Sequence, residues 1–181
     1  QGVLFGDGAG AIVMEACEVE DPTRDSHVFS SHLHADGSFA RSLWIEAPGM
    51  ANGQTWIDKD MLDAGKNWPK MEGRKVFTNA VKRMPETIVE ALEANGLALA
   101  DIDLFLFHQA NMRINEAVGK GLGIPPEKVF NTIQKYANTT AATIPIGMDE
   151  AVKAGVLKKG MMVALSAFGS GFTWGSVLLR W

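Results

Sequence analysis

The sequence is poor in the residues from which many enzymes build self-contained sites. It holds one cysteine, Cys17, and four histidines in 181 residues. A single cysteine forms no internal disulfide, so a disulfide scaffold is excluded and a reducing, cytoplasmic setting is expected. Positive charge is not in excess: 17 Lys and Arg stand against 21 Asp and Glu, a net charge of −4. That balance gives no basic field for nucleic acid. Long apolar runs are also missing. The one at Met161–Leu165 is far too short to cross a bilayer, and no secretory pattern opens the chain. The sequence starts on Gln1 and enters strand-like sequence at once, from which a fragment, or one part of a longer polypeptide, is expected. What is present, 46% hydrophobic and 21% charged residues, suits one folded domain with a sizeable core.

The stretch Asp103-Leu104-Phe105-Leu106-Phe107-His108-Gln109-Ala110-Asn111-Met112-Arg113 organises the rest. Its four consecutive apolar residues predict a strand buried on both faces, spanning Ile102–Phe107. The next apolar positions, Ala110, Ile114, Ala117, Val118 and Leu122, switch to helical spacing. His108 therefore sits at the carboxyl end of a buried strand, where open α/β sheets place their ligands. The alternative at this point is a histidine that only caps the following helix.

Upstream, Gly2–Glu15 reads as two short apolar runs around Gly6, Gly8 and Gly10, glycines that allow a close backbone approach. Gly6-x-Gly8-x-x-Ala11 formally matches a dinucleotide fingerprint. No helix follows it, only the short β-branched run Ile12-Val13-Met14, so a bulged strand packed against another backbone is expected instead. Val28–Ala35 predicts a second strand returning antiparallel to the first. His32 and His34 share a face there, but nothing nearby completes a metal site, and none is assigned. Gly37–Gly73 is irregular, rich in turn signals, and contains Trp44, Trp56 and Trp68, which are expected to pack onto the core. Val76–Leu92 predicts an amphipathic helix kinked or broken at Pro85. Strands at Val129–Ile133, Met161–Leu165 and Ser176–Arg180 and a helix near Ala141–Ala154 follow. The alternation predicts a mainly parallel sheet with an antiparallel ending.

Two polar residues follow strands in matching positions, His108 and Asn138. Adjacent parallel strands lie ~4.8 Å apart, so their ends can aim two side chains at one atom. Histidine N–H and asparagine NH₂ are both donors and together suit an oxyanion hole. The loop Gly169–Gly171 could add backbone N–H groups for a second one. A nucleophile is missing. Cys17 lies among Glu15, Glu18 and Glu20, whose charge disfavours a thiolate, and is read as a half-buried small residue.

His108-Gln109-Ala110-Asn111-x-Arg113, Tyr136-Ala137-Asn138-Thr139-Thr140-Ala141-Ala142 and Ala167-Phe168-Gly169-Ser170-Gly171-Phe172-Thr173-Trp174-Gly175 together resemble the beta-ketoacyl-acyl carrier protein synthase III family. Phe5–Ala11 and His32–Gly37 are similar to that family too. The resemblance implies an α/β, thiolase-like fold: a C-terminal half with a mixed five-stranded sheet and helices on both faces, plus the last hairpin of an N-terminal half. Residues 1–36 would be that hairpin, 37–73 a Trp-containing connection and 74–181 the C-terminal half. It implies a decarboxylating Claisen condensation in fatty acid synthesis, joining an acyl group taken from coenzyme A to malonyl-acyl carrier protein. No cofactor is implied beyond the coenzyme A thioester as substrate. By resemblance His108, as a neutral imidazole donor, and Asn138 stabilise the enolate, and a backbone N–H at Ser170 serves the acyl-cysteine carbonyl. Gln109, Ala110, Asn111, Met112 and Arg113 would meet acyl carrier protein, and Asn111 and Phe77 the pantetheine arm. The implied partners are acyl carrier protein, acyl-CoA, an upstream half and a second copy in a homodimer. Ala137 and Ser170 depart from the family, which often has glycine at both places, and the nucleophilic cysteine of the family is not matched by Cys17. Other thiolase-superfamily acyltransferases and a noncatalytic partner subunit are the alternative readings.

Overall fold

In the computed structural model, which describes residues 4–53 and 55–181, the strands in chain order are β1 (His27–Ala35), β2 (Leu43–Trp44), β3 (Lys70–Met71), β4 (Leu104–Phe107), β5 (Val129–Phe130), β6 (Met162–Gly169) and β7 (Thr173–Arg180). The helices are α1 (Lys59–Asp63), α2 (Gly73–Ala94), α3 (Met112–Leu122), α4 (Ile133–Tyr136) and α5 (Thr143–Lys153).

Five strands form one sheet in the order β1-β7-β6-β4-β5. β4 runs parallel to both β5 and β6, while β7 is antiparallel to β6 and to β1. All four residues of β4 are buried, as an apolar run without alternation requires when both sheet faces are covered. Phe105 and Phe107 enter a core with Ala80, Met84 and Ile88 of α2 and Ile114 and Val118 of α3. Leu104 and Leu106 enter the opposite core with Met148 and Ala151 of α5. The fold is thiolase-like: a mixed five-stranded sheet with helices on both faces.

Several sequence expectations change. α2 continues through Pro85 without a break. Its buried residues on either side, Met84, Thr87 and Ile88, hold it against the sheet despite one missing hydrogen bond. β6 and β7 are longer than expected and leave only Ser170–Phe172 between them. β5 is shorter, because the chain turns into α4 directly after it.

The hairpin expected over 1–36 is not formed among the described residues. β1 instead pairs with β7 along its length, His27 opposite Arg180 and Ala35 opposite Thr173. It thus belongs to the sheet that the boundary at residue 36 would have separated it from. Residues 6–19 join no ladder, and Ile12, Val13 and Met14 are exposed. A strand needs a facing row of backbone groups, and this stretch meets none there. The close approach expected of its glycines is nonetheless present. A β-carbon on Gly6 would collide with the Tyr136 carbonyl oxygen, one on Gly8 would lie 2.9 Å from Ile146 Cδ1, and one on Gly10 would lie 2.6 Å from Pro145 Cγ.

The connection after β1 carries the small β2–β3 pair and α1. Trp56 and Trp68 are exposed rather than packed on the core. Trp44 is part-buried, with Arg41 and Lys70 over its ring. No helix among the described residues is long and apolar enough to cross a membrane.

Candidate active site

The site is built from the carboxyl end of β4. Parallel pairing of β4 with β6 ends at Phe107 opposite Ser166, and the His108 N–H extends it by donating to the Ser166 carbonyl at 2.9 Å. The backbone of His108 is therefore held by the sheet itself. Its ring lies with Nδ1 2.7 Å from Thr143 Oγ1. Burial pushes the imidazole pKa below its ordinary value, because the cation is poorly solvated there, and the ring is neutral at neutral pH.

Asn138 arrives differently. β5 ends eight residues earlier, so the side chain is not aimed by a neighbouring strand end as the sequence suggested. It follows α4 through Ala137, which has φ 56° and ψ −159°, a region that glycine adopts freely and alanine does not. The backbone is clamped from the other side by residues 4–6: the Asn138 N–H donates to the Leu4 carbonyl and the Gly6 N–H to the Asn138 carbonyl, both at 3.1 Å. Asn138 Oδ1 accepts from the Thr140 N–H at 2.8 Å, which leaves Nδ2 as the donor end of the amide. Thr140 is itself left-handed, with φ 53°, and its carbonyl oxygen lies 3.0 Å from Thr143 Oγ1. A short path thus joins the two candidate donors: His108 ring, Thr143 hydroxyl, Thr140 peptide, Asn138 amide.

Ser170 lies four residues beyond the Phe107–Ser166 level, in the β6–β7 turn at the same end of the sheet. Its hydroxyl donates to the Leu43 carbonyl at 2.5 Å, tying the turn to the connection that holds Trp44. α2 runs along β7 with Arg83 over Trp174 and Thr87 accepting from Ser176, so its first turns, and Phe77, lie at this same end. Phe77 is exposed.

The segment after His108 divides. Gln109 is 1% exposed and cannot meet a carrier protein, contrary to the sequence expectation. Its Nε2 donates to the Phe107 carbonyl at 2.8 Å, and its Oε1 accepts from the Thr132 and Ile133 N–H groups at 3.0 and 3.1 Å. Buried amides are kept where they satisfy backbone groups, and Gln109 does so for the chain entering α4. Asn111 is exposed and caps α3, with Oδ1 accepting from the Arg113 N–H at 3.0 Å. Arg113 is exposed, while Ala110 and Met112 are partly so.

His32 and His34 both face the carboxylate of one residue, Glu90. Glu90 on α2 lies 2.6 Å from His34 Nε2 and 3.3 Å from His32 Nδ1, and these bonds hold its pKa low. Cys17 is exposed, not half-buried.

Residues 92–181 match the family described as 3-Oxoacyl-[acyl-carrier-protein (ACP)] synthase III C terminal. A curated beta-ketoacyl-[acyl-carrier-protein] synthase III of Acidiphilium cryptum is 44% identical over 178 residues, which are 98% of this chain and 51% of that protein. The chloroplastic enzyme of Arabidopsis thaliana is 40% identical over 186 residues, covering 99% of this chain and 45% of its own. The chain belongs to the synthase III family. The crystal structure of 3-oxoacyl-(acyl carrier protein) synthase III from Pseudomonas aeruginosa superposes with a TM-score of 0.84 at 34% identity, covering 99% of this chain and 51% of that one. The chain spans about half the length of the curated synthase III relatives it matches.

Sequence reasoning named His108 and Asn138 but missed what holds them. Thr143 was visible only as a hydroxyl at a helix start, and Thr140 only as a letter in a motif. The clamp of residues 4–6 on Asn138 had no local signal, because it joins segments more than 130 positions apart.

Proposed function

We propose that the chain is the C-terminal portion of a 3-oxoacyl-acyl carrier protein synthase III acting in fatty acid synthesis. The observation that carries this reading is the linked pair His108 and Asn138, two side chains held by one hydrogen-bonded path at the carboxyl end of a parallel strand. In the proposed step the malonyl C–C bond to the carboxylate breaks and carbon dioxide leaves. The electron pair moves onto the thioester as an enolate, whose oxygen is stabilised by His108 Nε2 and Asn138 Nδ2. The enolate carbon then attacks an acyl thioester on a cysteine supplied by the upstream half, and the thiolate leaves. Electrostatic stabilisation of this kind gives the largest return when donors are fixed before charge develops.

The Ser170 turn, at the same end of the sheet, is the proposed source of a backbone donor to the acyl-cysteine carbonyl. Asn111 and Arg113, with Ala110 and Met112, are the proposed contacts to an acidic acyl carrier protein. Phe77 and Asn111 are the proposed contacts to the pantetheine of coenzyme A. The exposed Trp56 and Trp68 support a further contact, with the upstream half or with a second copy in a homodimer. A cytoplasmic setting is part of the same proposal.

The test supplies the upstream half and follows carbon dioxide release from malonyl-acyl carrier protein. His108→Ala and Asn138→Ala should each lower kcat about 10²–10³-fold, the usual loss for one oxyanion donor. Release that is unaffected in both variants refutes the enolate role.

A further inference from the structure

Thr143 is buried, 2% exposed, and its hydroxyl has one proton to give and two acceptors in reach. One is His108 Nδ1 at 2.7 Å, the other the Thr140 carbonyl oxygen at 3.0 Å. A neutral imidazole likewise has one ring proton and two nitrogens. The two choices are coupled. If Thr143 donates to Thr140, its oxygen must accept, and the ring proton sits on Nδ1; Nε2 is then an acceptor. If Thr143 donates to Nδ1, the ring proton sits on Nε2, which becomes a donor.

Counting bonds separates the two arrangements. With the ring proton on Nδ1 both contacts are hydrogen bonds. With it on Nε2 only the contact to the ring is a hydrogen bond, and two oxygens face each other at 3.0 Å with no proton between them. The unliganded site therefore favours Nδ1–H, and an oxyanion arriving at Nε2 reverses the preference by adding a strong bond there.

We propose that Thr143 is a positioning residue that selects which nitrogen of His108 carries the ring proton, Nδ1 in the unliganded site and Nε2 when an oxyanion needs a donor. The exchange takes one proton from solvent at Nε2 and returns the Nδ1 proton to solvent, while the Thr143 hydroxyl proton turns from the Thr140 carbonyl to Nδ1, so net charge is unchanged and no further reactant enters. The unliganded assignment stands on geometry alone, whereas the liganded one rests on the enolate reading above. The path beyond Thr143 gives the switch a reach: the Thr140 peptide whose oxygen loses the hydroxyl proton is the one whose N–H holds Asn138 Oδ1.

The tautomer is read directly from two-bond ¹⁵N–¹H correlations of the labelled chain, well above the pH at which the ring titrates. His108→Gln assigns the signal. The wild-type chain and Thr143→Ser should show the Nδ1–H pattern, and Thr143→Val should shift the ring mainly to Nε2–H; Thr143→Ala replaces the valine variant if that fails to fold. A wild-type ring already in the Nε2–H form, or an unchanged pattern in Thr143→Val, overturns the assignment.

The liganded state is tested on carbon dioxide release with the upstream half present. Thr143→Val should lower kcat about tenfold with KM little changed, because Nδ1 is left without a donor, and Thr143→Ser should restore it. Wild-type kcat in Thr143→Val overturns the liganded half. The first readout needs no substrate, so it stands or falls independently of His108 as an enolate donor.

Discussion

His108 and Asn138 are held in opposite ways. His108 extends the parallel ladder between β4 and β6 by one residue, so its backbone position is an outcome of the sheet. Asn138 lies eight residues beyond its strand, past a short helix and a left-handed alanine, and is fixed by a backbone clamp from residues 4–6. One donor is placed by a regular element that forms for its own reasons. The other depends on two irregular segments agreeing, so the Asn138 side is the more easily loosened half of the pair.

Gln109 is where the two sides are joined, and removing it should have the largest effect on the fold. Its amide ties the His108 loop to the entry of α4, which leads to Asn138. Gln109→Leu keeps the volume but leaves the Thr132 and Ile133 N–H groups without their acceptor in a buried setting. The expected loss in urea unfolding is on the order of 3 kcal/mol, the sum of such desolvation penalties. Carrier-protein affinity of whatever remains folded should be unchanged. A variant of wild-type stability with weakened carrier binding would instead restore Gln109 to the docking surface.

The contrast also explains what could be read from the residues. The Leu104–Phe107 run, the switch to helical spacing after it and the strand–helix alternation are local patterns, and they are enough to place His108 at a strand end. The pairing of β1 with β7 was not legible, because β1 has the same alternation whichever edge it joins; its partner lies 138 to 153 positions away. The family resemblance pointed to Asn138 and Ser170 but said nothing of Thr143, whose importance lies in two distances. Gln109 was misplaced for a related reason: a polar residue beside a docking motif reads as surface unless its backbone partners are known.

Breaking the clamp should act on one side of the comparison only. A side chain on Gly6 meets the Tyr136 carbonyl oxygen well inside contact distance, so Gly6→Ala must lift the segment that hydrogen-bonds Asn138. Overpacking of this kind costs about 1–3 kcal/mol, and part of the clamp is lost with it. The variant should release carbon dioxide more slowly while the His108 ring keeps its wild-type tautomer pattern. A shift in the His108 signals as large as that in Thr143→Val would show that the two sides are not separable.

Relieving strain should sharpen the contrast in the opposite direction. Ala137 holds φ 56° and ψ −159°, where its β-carbon has no comfortable place, and a glycine there has none to place. Ala137→Gly removes a penalty of roughly 1–3 kcal/mol but adds backbone freedom to the unfolded chain that offsets up to about 1 kcal/mol of it. The net expectation is a gain of about 1 kcal/mol in urea unfolding, the smallest of these effects. The clamp at Leu4 and Gly6 and the bond from Thr140 survive the substitution, so Asn138 should keep its position and carbon dioxide release its wild-type rate. A stability gain accompanied by slower release would mean that Ala137, through its strain, aims Asn138 more tightly than its three hydrogen bonds do. That result would move the Asn138 side closer to the rigidity of the strand end that holds His108.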